Sequence, residues 1–552
     1  MKAYEYLAKM LHDYGTTHFF FQEVVLRMTA KEAEAKYGIQ GIMAHSEVAA
    51  GYMADGYARA SGKVGVCAAQ SIGAANLAAG LADAWLGTTP VIAITGKKSP
   101  QYQYRHAYQE MDHTKLYEAA TKFQADAVEA EQLPRLLRAC YKEASTGKPR
   151  PVHLDVRGLT GFEGEQAELS EPYMAEPEYG FAPAQRMLAD PAKVQQAAAR
   201  LAEAQKPILV IGRGAYMSGA GAEILQLMES CNIPAVTTPD GKTVIDEKHP
   251  LWAGIVGNYG MSCANKAVAG ADLVIFIGTQ TADQTTLDWN VPKPTTKAIQ
   301  IDIHPGELGK NYPDCVGLAG DAKSVCGQLA AAATPAKHPE WAKTVQGYFA
   351  DIDAMQRKRM ASDDGPILTE RLCGDLAAVL PDNAVLVSDT GYSAIWTATY
   401  MRMKPGQRYM RAAGSLGWSF PAALGAKCGT PDRPVVCFTG DGGFYYYLGE
   451  METAMRHGIN TVTVVNNNGL LSQCAGSIMA QYPEDPQAAV QKITYGTFPF
   501  AAVAEQFGFY AVRVEKAADI KPALEKALAA GRPALVEVVT AATGSDPLPA
   551  MV

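Results

Sequence analysis

The amino-acid sequence predicts an α/β protein that contains three doubly wound parallel-sheet domains. Short apolar runs such as Val435–Phe438 alternate with longer stretches of helical spacing along the chain, the pattern of buried parallel strands joined by helical crossovers. A chain of 552 residues is also too long for a single hydrophobic core. A polar, Pro- and Glu-rich segment at 161–191 and a charged helix near 351–359 separate the repeats. We therefore predict domains at 1–165, 191–335 and 366–552.

The composition is that of an acidic globular enzyme. Apolar residues make up 48% of the chain and the formal net charge is −8, which argues against nucleic acid or an anionic membrane as a partner. The ten cysteines are scattered without a CxxC pair, which favours reduced thiols. Residues 1–8 are typical of an amphipathic helix rather than of a signal peptide, and no apolar run reaches the length of a membrane span. We expect a cytoplasmic protein with no membrane partner.

The first domain carries a candidate functional carboxyl, Glu47. Apolar runs predict strands at 18–21, 41–44, 64–68, 91–95 and 149–156, and helical spacing predicts helices at 48–59 and 76–85. Glu47 follows the second of these strands and precedes an Ala- and Gly-rich helix, so we expect its carboxyl to be poorly solvated. One interpretation is an acid that interacts only with the helix dipole. The other is a carboxyl that takes part in chemistry.

The central domain repeats the strand–helix pattern. Strands are predicted at 207–211, 271–277 and 298–303, and Gly212-Arg213-Gly214 follows the first of them. This GxG invites a dinucleotide interpretation, but a lone GxG is a weak signal. A scaffold domain without a nucleotide is the alternative.

The third domain contains the most informative stretch, 435–468. A buried strand leads into Gly440-Asp441-Gly442-Gly443, which we predict to be a tight turn, and a strand at 461–465 leads to Asn468. Parallel strands end at one edge of a sheet, so Asp441 and Asn468 are expected to lie side by side there. A carboxylate, an amide oxygen and a backbone carbonyl are hard ligands that complete an octahedron around Mg²⁺ together with a bound diphosphate. The glycines allow the backbone to approach phosphate oxygens.

These motifs resemble those of thiamine diphosphate enzymes of the acetolactate synthase, pyruvate oxidase and pyruvate decarboxylase superfamily. The resemblance implies a pyrimidine-binding, a central Rossmann-like and a diphosphate-binding domain, in that order. It implies Asp441, Asn468 and the carbonyl of Leu470 as Mg²⁺ ligands, and Glu47 as the partner of the cofactor's aminopyrimidine N1′, because AHSEVAAGYMADGYARASGKVGV is similar to the corresponding family segment. Further residues implied at the cofactor or substrate are Gln109, Tyr392, Ser393, Gly414, Leu416, Gly440, Gly442 and Gly443.

Two segments depart from the family pattern. The loop after the first strand, 21–27, lacks the usual Gly/Pro-rich sequence, so Gln22 and Glu23 either face the substrate or belong to a longer helix. The loop 278–284 has Gln280 and Gln284 where flavin-containing relatives carry an arginine. FAD, ADP or coenzyme A, or no nucleotide, therefore remain open for the central domain. The tail from Thr543 is either a lid or without function.

The resemblance implies an enzyme that makes or breaks a C–C bond next to a carbonyl, with an acetolactate synthase-like carboligase of 2-keto acids as the first hypothesis. A 2-keto acid decarboxylase or a 2-hydroxyacyl-CoA lyase is the alternative, with an aldehyde or an acyl-CoA as substrate. A hypothesis of another class is a non-catalytic relative that keeps the sheets and has lost the chemistry. The family places the two halves of its site in different subunits, which implies a homodimer or homotetramer.

Overall fold

The computed structural model describes residues 1–335, 338–363, 365–496 and 498–542. The tail for which the sequence suggested a lid, 543–552, lies outside the described residues. Over the part that is described, the chain forms three six-stranded sheets, each parallel throughout and each flanked by helices. The α/β class with three parallel sheets is thus confirmed, while the domain boundaries themselves stay a prediction.

The first sheet has the order β2-β1-β3-β4-β6-β5. Its strands are β1 (His18–Phe21), β2 (Gln40–Met43), β3 (Gly65–Gln70), β4 (Val91–Lys97), β5 (Phe123–Ala127) and β6 (Val152–Arg157). The α-helices around it are Ala3–Asp13, Arg27–Tyr37, Glu47–Ser61, Ser71–Gly80, Ala82–Leu86, His113–Tyr117, Leu133–Ser145 and Phe162–Glu165. The single helix predicted at 76–85 is wrong: a helix begins earlier, at Ser71, and a second one follows it after Leu81.

The central sheet has the order β12-β11-β10-β7-β8-β9. Its strands are β7 (Pro207–Ile211), β8 (Ala235–Thr237), β9 (Trp252–Ile255), β10 (Leu273–Ile277), β11 (Lys297–Asp302) and β12 (Cys315–Ala319). The α-helices are Pro191–Glu203, Arg213–Ser218, Gly221–Cys231, Ser262–Ala269, Asp283–Thr286, Ala322–Ala332 and Pro339–Met360. The charged helix predicted near 351–359 is the last part of the helix Pro339–Met360.

The third sheet has the order β14-β13-β15-β16-β18-β17. Its strands are β13 (Val385–Ser388), β14 (Arg408–Arg411), β15 (Val435–Gly440), β16 (Val462–Asn467), β17 (Tyr510–Val514) and β18 (Ala534–Val539). The α-helices are Thr369–Val379, Tyr392–Tyr400, Ser419–Gly429, Asp441–Phe444, Glu450–Arg456, Ser472–Gln481, Pro486–Gln491, Phe500–Gln506 and Ala517–Leu528. Counted within its own domain, each strand occupies the same place as in the first sheet, so the two outer domains share one topology.

The two outer domains are joined by a close helix pair. Helix Glu47–Ser61 packs along helix Ser419–Gly429, and the apolar residues of both lie in one shared core. Their backbones approach so closely that a Cβ at Gly56 would lie 2.0 Å from the carbonyl oxygen of Ala422. A Cβ at Gly425 would lie 1.8 Å from the carbonyl oxygen of Met53. Glycine at both positions is therefore a requirement of this packing.

We expect Gly425→Ala to lower the free energy of unfolding by about 1–3 kcal/mol or more, because the added methyl group overpacks a backbone contact that cannot yield. Urea unfolding at equilibrium measures the change. Gly347→Ala is the matched control: Gly347 lies in the helix Pro339–Met360, and a Cβ added to it would meet nothing within 4 Å, while alanine there favours the helix. Equal stability of Gly425→Ala and the wild type would contradict the close-packing argument.

Candidate active site

Asp441 lies where strand β15 ends, beside the end of β16. The two strands pair in parallel with Gly440 opposite Asn466, so the residues that follow them meet at one edge of the sheet. One carboxylate oxygen of Asp441 accepts the N–H of Asn468 at 3.1 Å and that of Gly469. The other accepts the N–H of Gly442 at 2.6 Å. The predicted neighbourhood of Asp441 and Asn468 is therefore present.

The other two predicted metal ligands belong to the same loop. The side-chain oxygen of Asn468 accepts the N–H of Leu470 at 3.2 Å, and its amide nitrogen donates to Ser472 Oγ at 2.6 Å. Asp441 is buried, and burial raises the pKa of its carboxyl above the ordinary value while backbone N–H groups partly oppose the rise. A carboxylate, an amide oxygen and a carbonyl oxygen at the ends of two adjacent strands are the donor set that Mg²⁺ prefers, so these residues fit the ion.

The protein's own atoms leave little space for side chains at two glycines of this turn. A Cβ at Gly442 would lie 2.8 Å from the side chain of Leu471, and one at Gly443 would lie 3.0 Å from Thr439 Oγ1. A Cβ at Gly440 would lie 3.6 Å from the hydroxyl oxygen of Ser393. The tight turn predicted for 440–443 is wrong in detail, because Asp441 already begins the short helix Asp441–Phe444.

Tyr392 and Ser393 follow strand β13. They are the first two residues of helix Tyr392–Tyr400. The helix begins after Gly391, whose φ of +69° is one that side chains rarely adopt. This geometry brings the N-terminus of a nine-residue helix towards the Gly440 turn, where backbone N–H groups suit an anion.

The loop that carries Gly414 and Leu416 is held by two buried carboxylates. Asp83, from the first domain, accepts the N–H groups of Ala413 at 2.9 Å, Gly414 at 3.0 Å and Ser415 at 2.9 Å. Asp389, at the end of strand β13, accepts the N–H of Gly417 at 3.0 Å and the hydroxyl of Ser419 at 2.5 Å.

Within the part of the chain that the structure describes, no hydrogen bond to the Gly414 carbonyl is found. Sequence reasoning missed Asp83 and Asp389 as residues that position the site. A signal was present for both: Asp83 is an acid inside an apolar helical segment, and Asp389 directly follows a buried strand.

Leu416 is not an ordinary core leucine. Its side chain is half-buried, and Gly414 is exposed, whereas the neighbouring Trp418 is fully buried. A branched apolar side chain presented at the surface beside the Gly440 turn can contact a ligand. This placement agrees with the role that the resemblance implies for Leu416 and does not test it.

Glu47 is the first residue of helix Glu47–Ser61 and is half-buried in the single chain. Its carboxylate accepts a hydrogen bond from the amide of Asn76 at 3.1 Å. It also lies so close to Gly73 that a Cβ there would be 2.5 Å from Oε1. Helix Ser71–Gly80 therefore supplies both a donor and the space that the Glu47 carboxylate needs.

Gln109 lies on an exposed loop in a backbone conformation that is unusual for a residue with a side chain. Its φ is +59°, and its side-chain oxygen is buried with no hydrogen-bond partner among the described residues. Its carbonyl oxygen accepts a hydrogen bond from the hydroxyl of Ser71. Ser71 begins the helix that also supports Glu47, so one helix supports both predicted catalytic residues.

Among the described residues, no hydrogen bond or ion pair joins Glu47 or Gln109 to Asp441 or Asn468. The chain presents them as two half-sites, one on each outer domain. The loop residue Tyr104 near Gln109 is 98% exposed. Gln22 and Glu23 lie in a surface loop before helix Arg27–Tyr37, not in a longer helix, and Glu23 pairs with Arg27.

A separate cavity of about 290 Å³, the central cavity, lies where the middle domain meets residues of the two outer domains. The strand order places it where β7 and β10 run side by side and their connections leave in opposite directions, the usual ligand crevice of such sheets. Gly214 and Gly278 line it and pack backbone against backbone. Gln280 and Gln284 line it, as does Arg213 of the predicted GxG. Charged side chains that the sequence pattern did not single out also line it: Lys148, Asp302 and Arg411.

Arg213 is the most informative residue of this cavity. Its Nε is buried with no hydrogen-bond partner among the described residues, and burial lowers the pKa of its guanidinium to about 10. A bound anion would satisfy this group. The residues present therefore fit a phosphorylated ligand.

Three family models match the chain. The N-terminal TPP binding domain of thiamine pyrophosphate enzymes matches residues 1–116, their central domain matches 194–329, and their C-terminal TPP binding domain matches 389–538. Thiamine pyrophosphate is another name for thiamine diphosphate. The three matches occur in the order of the three sheets.

Curated relatives match over almost the whole chain. The probable acetolactate synthase large subunit of Methanocaldococcus jannaschii is 33% identical, over 98% of this chain and 92% of the relative. The probable acetolactate synthase large subunit of Methanococcus aeolicus is 32% identical, over 90% of this chain and 85% of the relative. The acetolactate synthase isozyme 2 large subunit of Escherichia coli (strain K12) is 30% identical, over 91% of this chain and 88% of the relative.

Proposed function

Because the chain belongs to the thiamine diphosphate-dependent enzymes of the acetolactate synthase, pyruvate oxidase and pyruvate decarboxylase superfamily, we propose that it uses this cofactor with Mg²⁺ to form a C–C bond next to a carbonyl. The observation that carries the proposal is the cluster of Asp441, Asn468 and Leu470 at the ends of two adjacent strands. When bound, thiamine diphosphate supplies an electron sink for the carbon next to a carbonyl.

The chain's own residues then bind, orient and move a proton. Glu47 holds or releases a proton at N1′ of the aminopyrimidine, and the Gly414 carbonyl accepts a hydrogen bond from the 4′-amino group. Leu416 would contact the two rings of the cofactor, and Gln109 would face the substrate. The Gly440 turn, with Tyr392 and Ser393 beside it, would hold the diphosphate.

Asp441→Asn is expected to weaken binding of Mg²⁺ and thiamine diphosphate at least about 100-fold, since loss of even an outer-shell partner of a metal lowers affinity by about 10–100-fold. Calorimetric titration of the cofactor with and without Mg²⁺ measures the loss. Asp432→Asn, an exposed acid of the same domain, is the control and should bind as the wild type does. Unchanged affinity in Asp441→Asn would place the metal elsewhere.

For the substrate, we propose a 2-keto acid that is joined to a second 2-keto acid, as in acetolactate synthesis. The names of the relatives and their match along nearly the whole chain support this proposal. The test is incubation with pyruvate, alone and with an aldehyde, followed by mass-spectrometric identification of products. Acetolactate supports the carboligase, and free acetaldehyde would instead indicate a decarboxylase. Turnover only of a 2-hydroxyacyl-CoA would indicate the lyase, and no cofactor binding would indicate a non-catalytic relative.

We propose that the active enzyme is a homodimer or a homotetramer in which one subunit supplies Glu47 and Gln109 and another supplies Asp441 and Asn468. No hydrogen bond or ion pair of the described residues joins the two half-sites within one chain, which supports this proposal, as do the exposed Gly414 and the half-buried Leu416. Multi-angle light scattering gives the mass. A monomer with full activity would contradict the shared site.

We also propose that the central cavity holds the adenosine diphosphate moiety that FAD, ADP and coenzyme A have in common. The unpartnered Arg213 Nε and the glycines that line the cavity support it. Titration with each of the three compounds, and with adenosine as a control that lacks phosphate, would identify the ligand; equal binding of adenosine would contradict a phosphate site.

The location proposed is the cytoplasm, because all ten cysteines are free thiols. No helix of the described residues is long and apolar enough to cross a membrane. Cell fractionation would test the proposed location.

A further inference from the structure

The function proposed above assigns no role to a buried cluster of polar side chains behind the Gln109 loop. It contains His113, His153 and Asp155, whose side chains are almost completely buried. His113 is the first residue of helix His113–Tyr117, and the other two lie on strand β6. Buried titratable groups in such number need a physical reason.

The protons of this cluster can be assigned from its hydrogen bonds. Asp155 is ionised: burial alone would raise its pKa, but the hydrogen bond from His113 and the nearby positive charges lower it to about 2. The hydroxyl of Thr95 lies 2.6 Å from Asp155 Oδ1 and therefore donates its only proton there. His153 Nε2 lies 2.6 Å from the same hydroxyl and must be the donor of that contact. Burial lowers the pKa of His153 to about 4, so His153 is neutral.

The same assignment of hydrogen-bond donors and acceptors gives the protonation state of His113. Its Nδ1 lies 2.9 Å from the ionised Asp155 Oδ1 and donates to it. Its Nε2 lies 3.4 Å from Ser71 Oγ. The Ser71 hydroxyl donates its only proton to the carbonyl oxygen of Gln109. It can therefore only accept a hydrogen bond from His113. Both ring nitrogens of His113 then carry protons.

We propose that His113 is a buried imidazolium paired with Asp155, and that it acts through Ser71 as a positioning residue for Gln109. The chain of donors runs from His113 Nε2–H to Ser71 Oγ–H and ends on the Gln109 carbonyl. A left-handed backbone at a non-glycine residue persists only where its surroundings determine it, and this contact supplies that determination. The inference rests on the proposed role of Gln109 at the substrate.

The charges around the pair support an ionised cluster. Lys97 Nζ lies 3.1 Å from the second oxygen of Asp155 and 2.8 Å from Asp126, and Arg157 also pairs with Asp126. With His113 protonated, three cations face two carboxylates. The other titratable neighbour is Tyr117, whose ring stacks on His153 at 3.7 Å and whose hydroxyl donates to the carbonyl of Ala74.

A metal ion is the competing interpretation, because one nitrogen of each histidine and one oxygen of Asp155 lie within 4.8 Å of one another. The hydroxyl of Thr95 already lies between His153 and Asp155, at 2.6 Å from each. The ammonium of Lys97 contacts the same carboxylate. A divalent ion would have to displace the Thr95 hydroxyl and would lie close to the positive charge of Lys97. The protein's own hydrogen bonds therefore account better for the cluster.

The first test needs no activity. Ser71→Ala, in the full-length protein without cofactor, should raise the hydrogen–deuterium exchange rate of amides in segment 103–112 by about tenfold or more, because it removes the hydroxyl that holds the Gln109 carbonyl. Ser145→Ala is the matched control, since Ser145 is a buried serine of the same domain whose hydroxyl also donates to a backbone carbonyl. Ser71→Thr keeps the hydroxyl and should restore protection. Unchanged exchange in Ser71→Ala would overturn the positioning role.

The second test measures the protonation state of His113 directly. At a pH above the ordinary pKa of histidine, protein labelled with ¹⁵N-histidine should keep one imidazolium signal, and this signal should disappear in His113→Asn. A neutral signal from His113 would overturn the ion pair, as would a stoichiometric metal content in the purified wild-type protein that is lost in His153→Ala.

The third test links the cluster to turnover. Ser71→Ala should lower kcat/KM about tenfold, and combination with Gln109→Ala should cause no further loss beyond that of Gln109→Ala alone. Additive losses would overturn action through Gln109. If the wild type shows no turnover at all, the proposed function fails, whereas the exchange and labelling results still decide the inference about His113.

Discussion

Glu47→Gln is expected to lower turnover by a factor of about 10²–10⁴, the usual contribution of a positioned acid or base, while thiamine diphosphate stays bound. Glutamine preserves the size of the side chain and the hydrogen bond that Asn76 gives to Glu47 but can neither take nor release the N1′ proton. The variant therefore separates proton movement from binding. Steady-state product formation from pyruvate measures turnover, and calorimetry measures cofactor affinity.

The matched control for this variant is Glu143→Gln. Glu143 is an exposed acid on another helix of the same domain, so its replacement should leave both measurements unchanged. Normal turnover of Glu47→Gln would refute the proton role. Loss of affinity to the same extent as turnover would instead make Glu47 a binding residue.

The diphosphate half of the site could be predicted from the sequence because its residues are close along the chain. A strand, a glycine-rich turn and an asparagine one strand later define the edge where Asp441 meets Asn468, since parallel strands leave a sheet in the same direction. The structure brings these residues into hydrogen-bond contact. The edge strands, such as β5 and β17, are harder to identify. Polar residues alternate in β5, an arginine interrupts the apolar residues of β17, and both strands are mostly half-buried, so neither has the continuous buried apolar run of a central strand.

Residues that act across long sequence distances could not be found by pattern. Asp83 holds three N–H groups of the 413–415 loop, more than 300 positions away, and nothing in local periodicity predicts such a pairing. The same holds for the cluster of His113 and Asp155, which forms only when a loop folds back on strand β6. An isolated polar residue in an apolar segment was the available signal, and it indicates burial without naming the partner.

One buried arginine connects these distant parts, and its removal has the second large effect that we expect. Arg59 forms a bidentate pair with Asp55, with both N···O distances 2.6 Å, and donates to Asp83 at 2.8 Å and to the carbonyl of Arg411 at 2.7 Å. Its side chain is 1% exposed, and both carboxylates are completely buried. The guanidinium also lies over the ring of Trp418 at 4.5 Å. The network thus joins the first domain to the Gly414 loop.

Arg59→Met is expected to lower the free energy of unfolding by about 3–5 kcal/mol at neutral pH, because it leaves buried carboxylates without their counter-charge. Urea unfolding followed by tryptophan fluorescence measures it. Asp353–Arg357 has the same i, i+4 spacing but an arginine that is 74% exposed, so Arg357→Met is the control and should change stability by about 0–1 kcal/mol.

The pH dependence of the Arg59→Met loss distinguishes charge from packing. Burial and the charge of Asp83 raise the pKa of Asp55, and Arg59 opposes that rise, so removal of Arg59 raises it further. A carboxyl whose pKa is higher in the folded than in the unfolded protein loses stability as the pH rises above its unfolded pKa. The loss should therefore be largest at neutral pH and shrink as the pH falls towards the ordinary pKa of aspartate. A loss of unfolding free energy that is the same at every pH would show that the packing of the guanidinium, and not its charge, stabilises the contact between the two domains.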